Sequence, residues 1–361
     1  MKIKAHKPLI VFMILAFSAF TASAAFPGIS SPRPWPVRNL PIVIGNTAYT
    51  LQFYGDEPAF HHGLDILEPA GTPVYAPVSG KITAGYYYRI KIPYTFEIAI
   101  EEKDGTVWQF HHLDPRTIPA SLLSLAARGG RVSSGAFLGR IYNASEMGSG
   151  ISPHVHINVI DSEGRYQEAL RFFAPLKDSV SPVIRGMYLI DSKNRVLADD
   201  EKGLLSAQRN FHPAAIIVDA FDLISPSIVE TTPASIQVLA LVDGGKRETT
   251  LAKRSFYRLP GKDFFTGISG VYQIKPIWFP DGRILNNQIE ISPDLKRARR
   301  FLFRFPLSKI HSGVSGLKIL VTDFSGNQAS KSWVFPKPSS ISSAKFEKAN
   351  QLAHSLYPAF Y

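Results

Sequence analysis

Histidine in this 361-residue chain is bunched, and no cysteine accompanies it. Ten histidines occur, and six of them form three tight pairs: His61 and His62, His111 and His112, His154 and His156. Without Cys there is no disulfide framework, no iron–sulfur centre and no thiol nucleophile, so a metal site must be built from imidazole and carboxylate. A lone histidine is more often a surface or satisfied core residue. Three pairs in one stretch point instead to a metal centre. Strand geometry sharpens this, because side chains at i, i+2 and i+4 share a face. His154 and His156 then look the same way from Pro153-His-Val-His-Ile-Asn-Val159. His61, Gly63 and Asp65 share a face in Phe60-His-His-Gly-Leu-Asp-Ile66, with Gly63 leaving room between the other two. Two imidazoles and one carboxylate, with a water in the fourth position, are the open composition of a catalytic zinc. Such a metal lowers the pKa of its water towards ~7 and polarises a carbonyl. The remaining histidines become candidates for general base or oxyanion donor.

The ends of the chain read differently from its body. Lys2, Lys4 and Lys7 precede an apolar run from Leu9 to Phe20 and then Ala22-Ser23-Ala24, the pattern of a secretory signal peptide over residues 1–24. The run is shorter than the ~20 residues of a spanning helix. No Cys follows it to carry a lipid, and no later segment reads as transmembrane, so the chain is expected to be exported and soluble. Lys and Arg total 40 against 29 Asp and Glu, a net charge of +11, which falls to +8 when the three leader lysines go. Hydrophobic content of 45% excludes wholesale disorder. Residues 25–40 form a Pro-rich extended segment.

From about residue 41 to 176 short apolar runs alternate with Gly, Pro and Asp turns, which predicts strands, with one helix over Ala120 to Arg128 before Gly129-Gly130. Asp178-Ser-Val-Ser-Pro182 reads as a linker. Ala215 to Ala220, Ser235 to Val242, Val271 to Phe279, Phe301 to Phe305 and Leu317 to Val321 are strand-like, which predicts a β-sandwich over 183–336. His212 and His311, outside any cluster, are read as structural. The tail 337–361 carries apolar spacing for a short helix near 343–356.

Four blocks of the chain resemble the lysostaphin/LytM-type zinc metallopeptidases, in that family's order. They are Phe60-His-His-Gly-Leu-Asp-Ile66 running on to Gly80, Phe110-His-His-Leu113, Gly129 to Gly139, and Ser152-Pro-His-Val-His-Ile-Asn-Val159. The resemblance implies an antiparallel β-sheet metallopeptidase domain with a groove over residues 41–176. It implies one zinc ion per chain held by His61, Asp65 and His156. It gives His112 and His154 the catalytic positions near the scissile carbonyl. His62 and His111 fall on variable positions and are read as solvent-exposed or outside the ligand set, since alternation turns each away from its neighbour. Phe110, Ser152, Val155 and Ile157-Asn158 depart from the family's Tyr, Gly, Leu and Phe-Glu. Val321-Thr-Asp-Phe-Ser-Gly-Asn-Gln-Ala329 resembles the end strand of bacterial immunoglobulin-like domains.

The implied activity is hydrolysis of peptide cross-links or bridges of peptidoglycan, with stem peptides as the partner and the periplasm, or alternatively the medium, as the location. Nucleic acid is not expected, and a partner among wall hydrolases or membrane proteins is left open. The rival reading is a non-catalytic wall-binding regulator of other murein hydrolases, for which five intact site residues have no chemical use. The segment 26–58 or the second domain is a candidate cover for the groove.

Overall fold

The computed structural model describes residues 32–54, 56–86, 96–143, 152–200, 203–204, 213–287, 290–291, 297–298, 300–307 and 313–335. The expected signal peptide, the expected C-terminal helix, His212, His311 and nearly all of Tyr86–Tyr94 lie outside the described residues. What is described is mostly β and antiparallel, in agreement with the fold class expected. Among the described residues no helix is long and apolar enough to cross a membrane.

The N-terminal half contains β1 (Val43–Ile44), β2 (Leu51–Tyr54), β3 (Glu57–Phe60), β4 (Leu64–Leu67), β5 (Pro73–Tyr75), β6 (Gly80–Tyr86), β7 (Phe96–Glu101) and β8 (Val107–Leu113). Helix α1 (Ala120–Ala127), β9 (Arg131–Val132), β10 (Phe137–Arg140), β11 (His154–Ile160) and β12 (Tyr166–Gln167) follow. One sheet runs β1-β4-β11-β8-β7-β6-β9, with β12 on β11, while β2-β3 and β10-β5 are separate ribbons. Alternation explains its two faces. Val155, Ile157 and Val159 of β11 are fully buried with Ile98, Ile100, Trp108 and Phe110 of its neighbours, forming the core. The intervening His154, His156 and Asn158 therefore face the other way. Helix α1 appears where its sequence predicts it and ends at Gly129, whose φ of 63° permits the left-handed cap.

The regular alternation fails at one place in β8, and the failure matters. Phe96 of β7 pairs with Leu113, but Ile98 pairs with Phe110, so β8 carries one extra residue at His111–His112. This is a β-bulge, with His112 at φ 61°. The parity of the strand flips there, so that Phe110 and Leu113 both enter the core.

In the C-terminal half the strands are β13 (Val183–Ile190), β14 (Val196–Asp199), β15 (Gly203–Leu204), β16 (Ala215–Leu223), β17 (Glu230–Thr231), β18 (Ser235–Val242) and β19 (Arg247–Ser255). Helix α2 (Ile268–Val271) and four short strands follow: β20 (Ile277–Trp278), β21 (Ile284–Leu285), β22 (Glu290–Ile291) and β23 (Arg297–Ala298). The last strands are β24 (Leu302–Pro306), β25 (Val314–Thr322) and β26 (Gln328–Val334). One sheet is ordered β15-β14-β13-β16-β17 with β24 on β16, and the other β19-β18-β25-β26. Met187, Leu189, Ile216 and Val218 of the first meet Ile236, Val238, Leu317 and Ile319 of the second in a common core.

The two halves interlock. Ala48, Tyr49, Leu51, Ala59 and Phe60 of the N-terminal half lie in the C-terminal core, while Ile224, Ala234 and Phe324 lie in the N-terminal one. Tyr272 Oη donates to Tyr49 O at 2.8 Å, and Phe60 N donates to Phe264 O at 2.7 Å.

Candidate metal centre

Strand register puts Asp65 of β4 directly opposite His156 of β11, and His111 of β8 opposite His156 on its other side. His61 comes from the turn between β3 and β4, its backbone fixed by His61 N to Thr50 O (2.7 Å) and Tyr49 N to His61 O (2.9 Å). The result is convergence. His61 Nε2 lies 3.1 Å from Asp65 Oδ1 and 3.0 Å from His156 Nδ1, and the latter two are 2.8 Å apart. All three side chains are buried.

The outer atoms of these side chains decide what the inner ones can do. His61 Nδ1 is 3.0 Å from Thr47 O, and His156 Nε2 is 2.7 Å from Asn158 Oδ1. Both partners are acceptors, so each ring carries its proton on the outside. With both rings neutral, two nitrogen lone pairs and a carboxylate oxygen then face one another. Such an arrangement is repulsive unless a cation sits among them. Ligands of tetrahedral zinc at ~2.0–2.1 Å stand about 3.3 Å apart, close to the spacing seen. The second Asp65 oxygen accepts from Asn46 Nδ2 at 2.7 Å, which fixes the carboxylate with Oδ1 inward. These residues fit a metal of the zinc type: His61, Asp65 and His156 can hold it.

A further layer holds the first. Asn158 Nδ2 donates to Gln109 Oε1 (3.0 Å) and meets His111 Nε2 (3.0 Å), and His111 Nδ1 lies 3.5 Å from Glu97 Oε2. A chain of set tautomers thus runs from Glu97 through His111 and Asn158 to His156. On the other side, the wholly buried Glu168 accepts from Ala48 N (2.6 Å) and Leu170 N (2.9 Å), pinning the loop that offers Asn46 and Thr47.

His154 and His112 flank the triad, with ring centroids 4.6 Å apart. His154 Nδ1 donates to Ser152 O at 2.8 Å, so Nε2 carries the lone pair, 3.7 Å from Asp65 Oδ1. Burial, followed by the neighbouring His154 and His156, brings His112 down to about 3, so its imidazole is neutral at pH 7. Burial would raise Asp65, but His61, His154 and the His156 hydrogen bond hold it well below the usual carboxylate range.

The structure brings together all five residues singled out in the sequence. Of the two alternatives read for the other two, solvent-exposed or outside the ligand set, it favours the second. His62 and His111 are 7% and 3% exposed, not solvent-facing. His62 stacks on Phe264 (4.7 Å between rings) and lies 4.9 Å from the His156 ring. Alternation fails for both pairs, because His61-His62 lies in a turn and His111-His112 spans the bulge. Asn158 and Glu168 are site residues that sequence reasoning did not single out. Asn158 had a signal, its i+2 spacing from His156, whereas Glu168 had none.

Residues 59–168 match the model of Peptidase family M23. No curated protein matches the chain. Among solved structures, a zinc-containing peptidase from Vibrio cholerae is 21% identical over 40% of this chain and 41% of its own, with a TM-score of 0.30. The catalytic domain of lysostaphin from Staphylococcus simulans is 24% identical over 36% of this chain and 87% of its own (TM-score 0.26). A structure of the SpoIIQ–SpoIIIAH pore-forming complex is 19% identical over 39% of this chain and 90% of its own (TM-score 0.30). His61, Asp65, His112, His154 and His156 all fall inside one segment, residues 59–168, the segment that matches the model of Peptidase family M23.

Proposed function

We propose that this chain is a zinc-dependent endopeptidase that hydrolyses peptide cross-links or bridges of bacterial peptidoglycan, exported to the periplasm or beyond. One observation carries the reading: one side-chain atom each of His61, Asp65 and His156 meet within 3.1 Å, beside two further histidines. Zinc, when bound, supplies a Lewis acid that activates water and polarises the scissile carbonyl. In this reading His154 takes the proton of the attacking water at Nε2, because its Nδ1–H is committed to Ser152 O. The protonated ring then returns that proton to the leaving amine. His112 donates a hydrogen bond to the developing oxyanion. The buried second layer through Asn158 and Thr47 keeps both ligand rings in the required tautomer. Residues 183–336 are, in the same reading, an immunoglobulin-like unit that braces the peptidase segment.

Isolated murein sacculi, incubated with the zinc-loaded protein and analysed by mass spectrometry, test the proposal. Cross-linked muropeptides should decline, a chelator should stop the decline, and His156→Ala should return it to background. A zinc-loaded chain that cuts no cross-link, yet speeds another murein hydrolase, would overturn the enzyme in favour of a wall-binding regulator.

A further inference from the structure

A second group of carboxylates lies far along the chain from the histidines. Asp178 is in the segment that follows the N-terminal half, Asp222 is near the end of β16, and Asp323 begins the turn after β25. One carboxylate oxygen from each lies within 4.8 Å of the others. Asp222 is wholly buried, and no side chain donates a hydrogen bond to either of its oxygens. The Oδ2 of Asp178 is likewise buried and without a donor. The charged side chains acting on Asp222 are Asp323 and Asp178, both of its own sign.

The same strand shows the contrast. Asp219, also fully buried, is neutralised by Arg300 at 2.8 Å and Arg185 at 3.7 Å. Asp222, three residues on, faces carboxylates instead. Burying like charges together without a counter-ion is costly, so a cation is their natural partner. The other two side chains are already set for one. Asp178 Oδ1 accepts from Val180 N (3.1 Å) and Ser225 N (3.2 Å), leaving Oδ2 to face inward. Asp323 Oδ1 accepts from Ser325 N and Asn327 N at 2.8 Å each, and Asn327 Nδ2 bridges Asp323 Oδ2 and the Asp178 carbonyl.

We propose that Asp178, Asp222 and Asp323 form a second metal site, for a hard divalent cation of the calcium class. All-oxygen, carboxylate-rich donors select hard cations over zinc. Oxygens bound to Ca2+ at 2.3–2.6 Å lie at most about 5 Å apart, which accommodates the spacing here. Water and backbone carbonyls complete the 6–8 ligands calcium takes. The position gives the ion a task. Ile224 and Phe324, near or beside two of the ligands in sequence, insert into the N-terminal core, and Asp178 lies on the connecting segment. The ion would tie that segment to both C-terminal sheets.

The full chain, loaded with one zinc and otherwise stripped of metal, is dialysed against 1 mM calcium and its metals are counted by mass spectrometry. One calcium per chain is expected beside the zinc, with Tm rising by about 5 °C. Asp222→Asn should lose the calcium and the Tm rise while keeping the zinc. Should that variant fail to fold, Asp178→Asn, at a partly exposed position, should weaken calcium binding at least tenfold. The site is refuted if the zinc-loaded chain takes up no calcium, or if calcium uptake survives in the folded variants. Retained zinc and muropeptide cleavage in those variants keep this result separate from the fate of the peptidase reading.

Discussion

Gly63 has no side chain, and three atoms explain why. A Cβ there would stand 2.4 Å from Ile157 O, 2.5 Å from Asn158 Oδ1 and 2.9 Å from His156 Nε2. It would strike the hydrogen bond that sets the His156 tautomer. Gly63→Ala and Asn158→Leu should therefore act alike although neither touches a ligand atom. Each is expected to weaken zinc binding by about 10–100-fold, measured by competition with a chromogenic chelator. Unchanged affinity in both would mean that the outer contact of His156 is dispensable. At this scale the sequence was informative about chemistry and poor about direction. His61, Asp65 and His156 were legible because each lies in a short motif whose spacing survives folding. The inward turn of His62 and His111 was not, because it depends on a turn and on an extra residue that only the pairing of β8 with β7 reveals. Asn158 is a neutral group whose amide donates to His111 while its carbonyl accepts from His156.

Elements, in turn, deliver these residues in pairs. Strand β11 presents His154, His156 and Asn158 from one face, the bulge in β8 presents His111 and His112 together, and the loop before β2 supplies Asn46 and Thr47. That loop is clamped by Glu168. Burial, opposed in part by the Leu170 and Ala48 hydrogen bonds and by His61, pushes the Glu168 carboxyl up to about 7. In the unfolded chain it titrates near 4.3. Between these values the folded state keeps a proton that the unfolded state releases. The Glu168 contribution to stability should accordingly fall as pH rises from about 4.5 to about 7 and level off above, by on the order of 3 kcal/mol, against the opposite contribution of buried His112, which the unfolded chain protonates first. In urea titrations at several pH values, Glu168→Gln should gain stability relative to the parent chain as pH rises from about 4.5 to about 7, while losing one backbone hydrogen bond. An unaltered slope would assign the pH dependence to other groups. Long-range clamps of this kind are invisible in sequence, since nothing local marks Glu168 as the partner of residue 48. The strands themselves were legible from their alternation and turn residues.

At the scale of the whole molecule, two cores share their boundary. Sequence patterning suggested a linker near Asp178 between two domains, and contacts cross it in both directions. A chain ended at residue 182 would expose Tyr49, Leu51 and Phe60, which the intact chain buries. Each such side chain contributes about 1.5–3 kcal/mol. The truncated protein should melt at lower temperature and bind zinc at least tenfold more weakly, as followed by calorimetry. Equal zinc affinity in the two forms would show that the C-terminal half is only an appendage. Phe60 and His61 are consecutive residues, one seated in the C-terminal core and the other turned into the candidate metal centre, so a single peptide bond joins two equilibria. Coupling of that sort is reciprocal. If tight packing of the distant half raises the affinity for zinc by some factor, zinc must favour that packing by the same factor. Occupancy of the metal site then doubles as a report on whether the far end of the protein is correctly assembled.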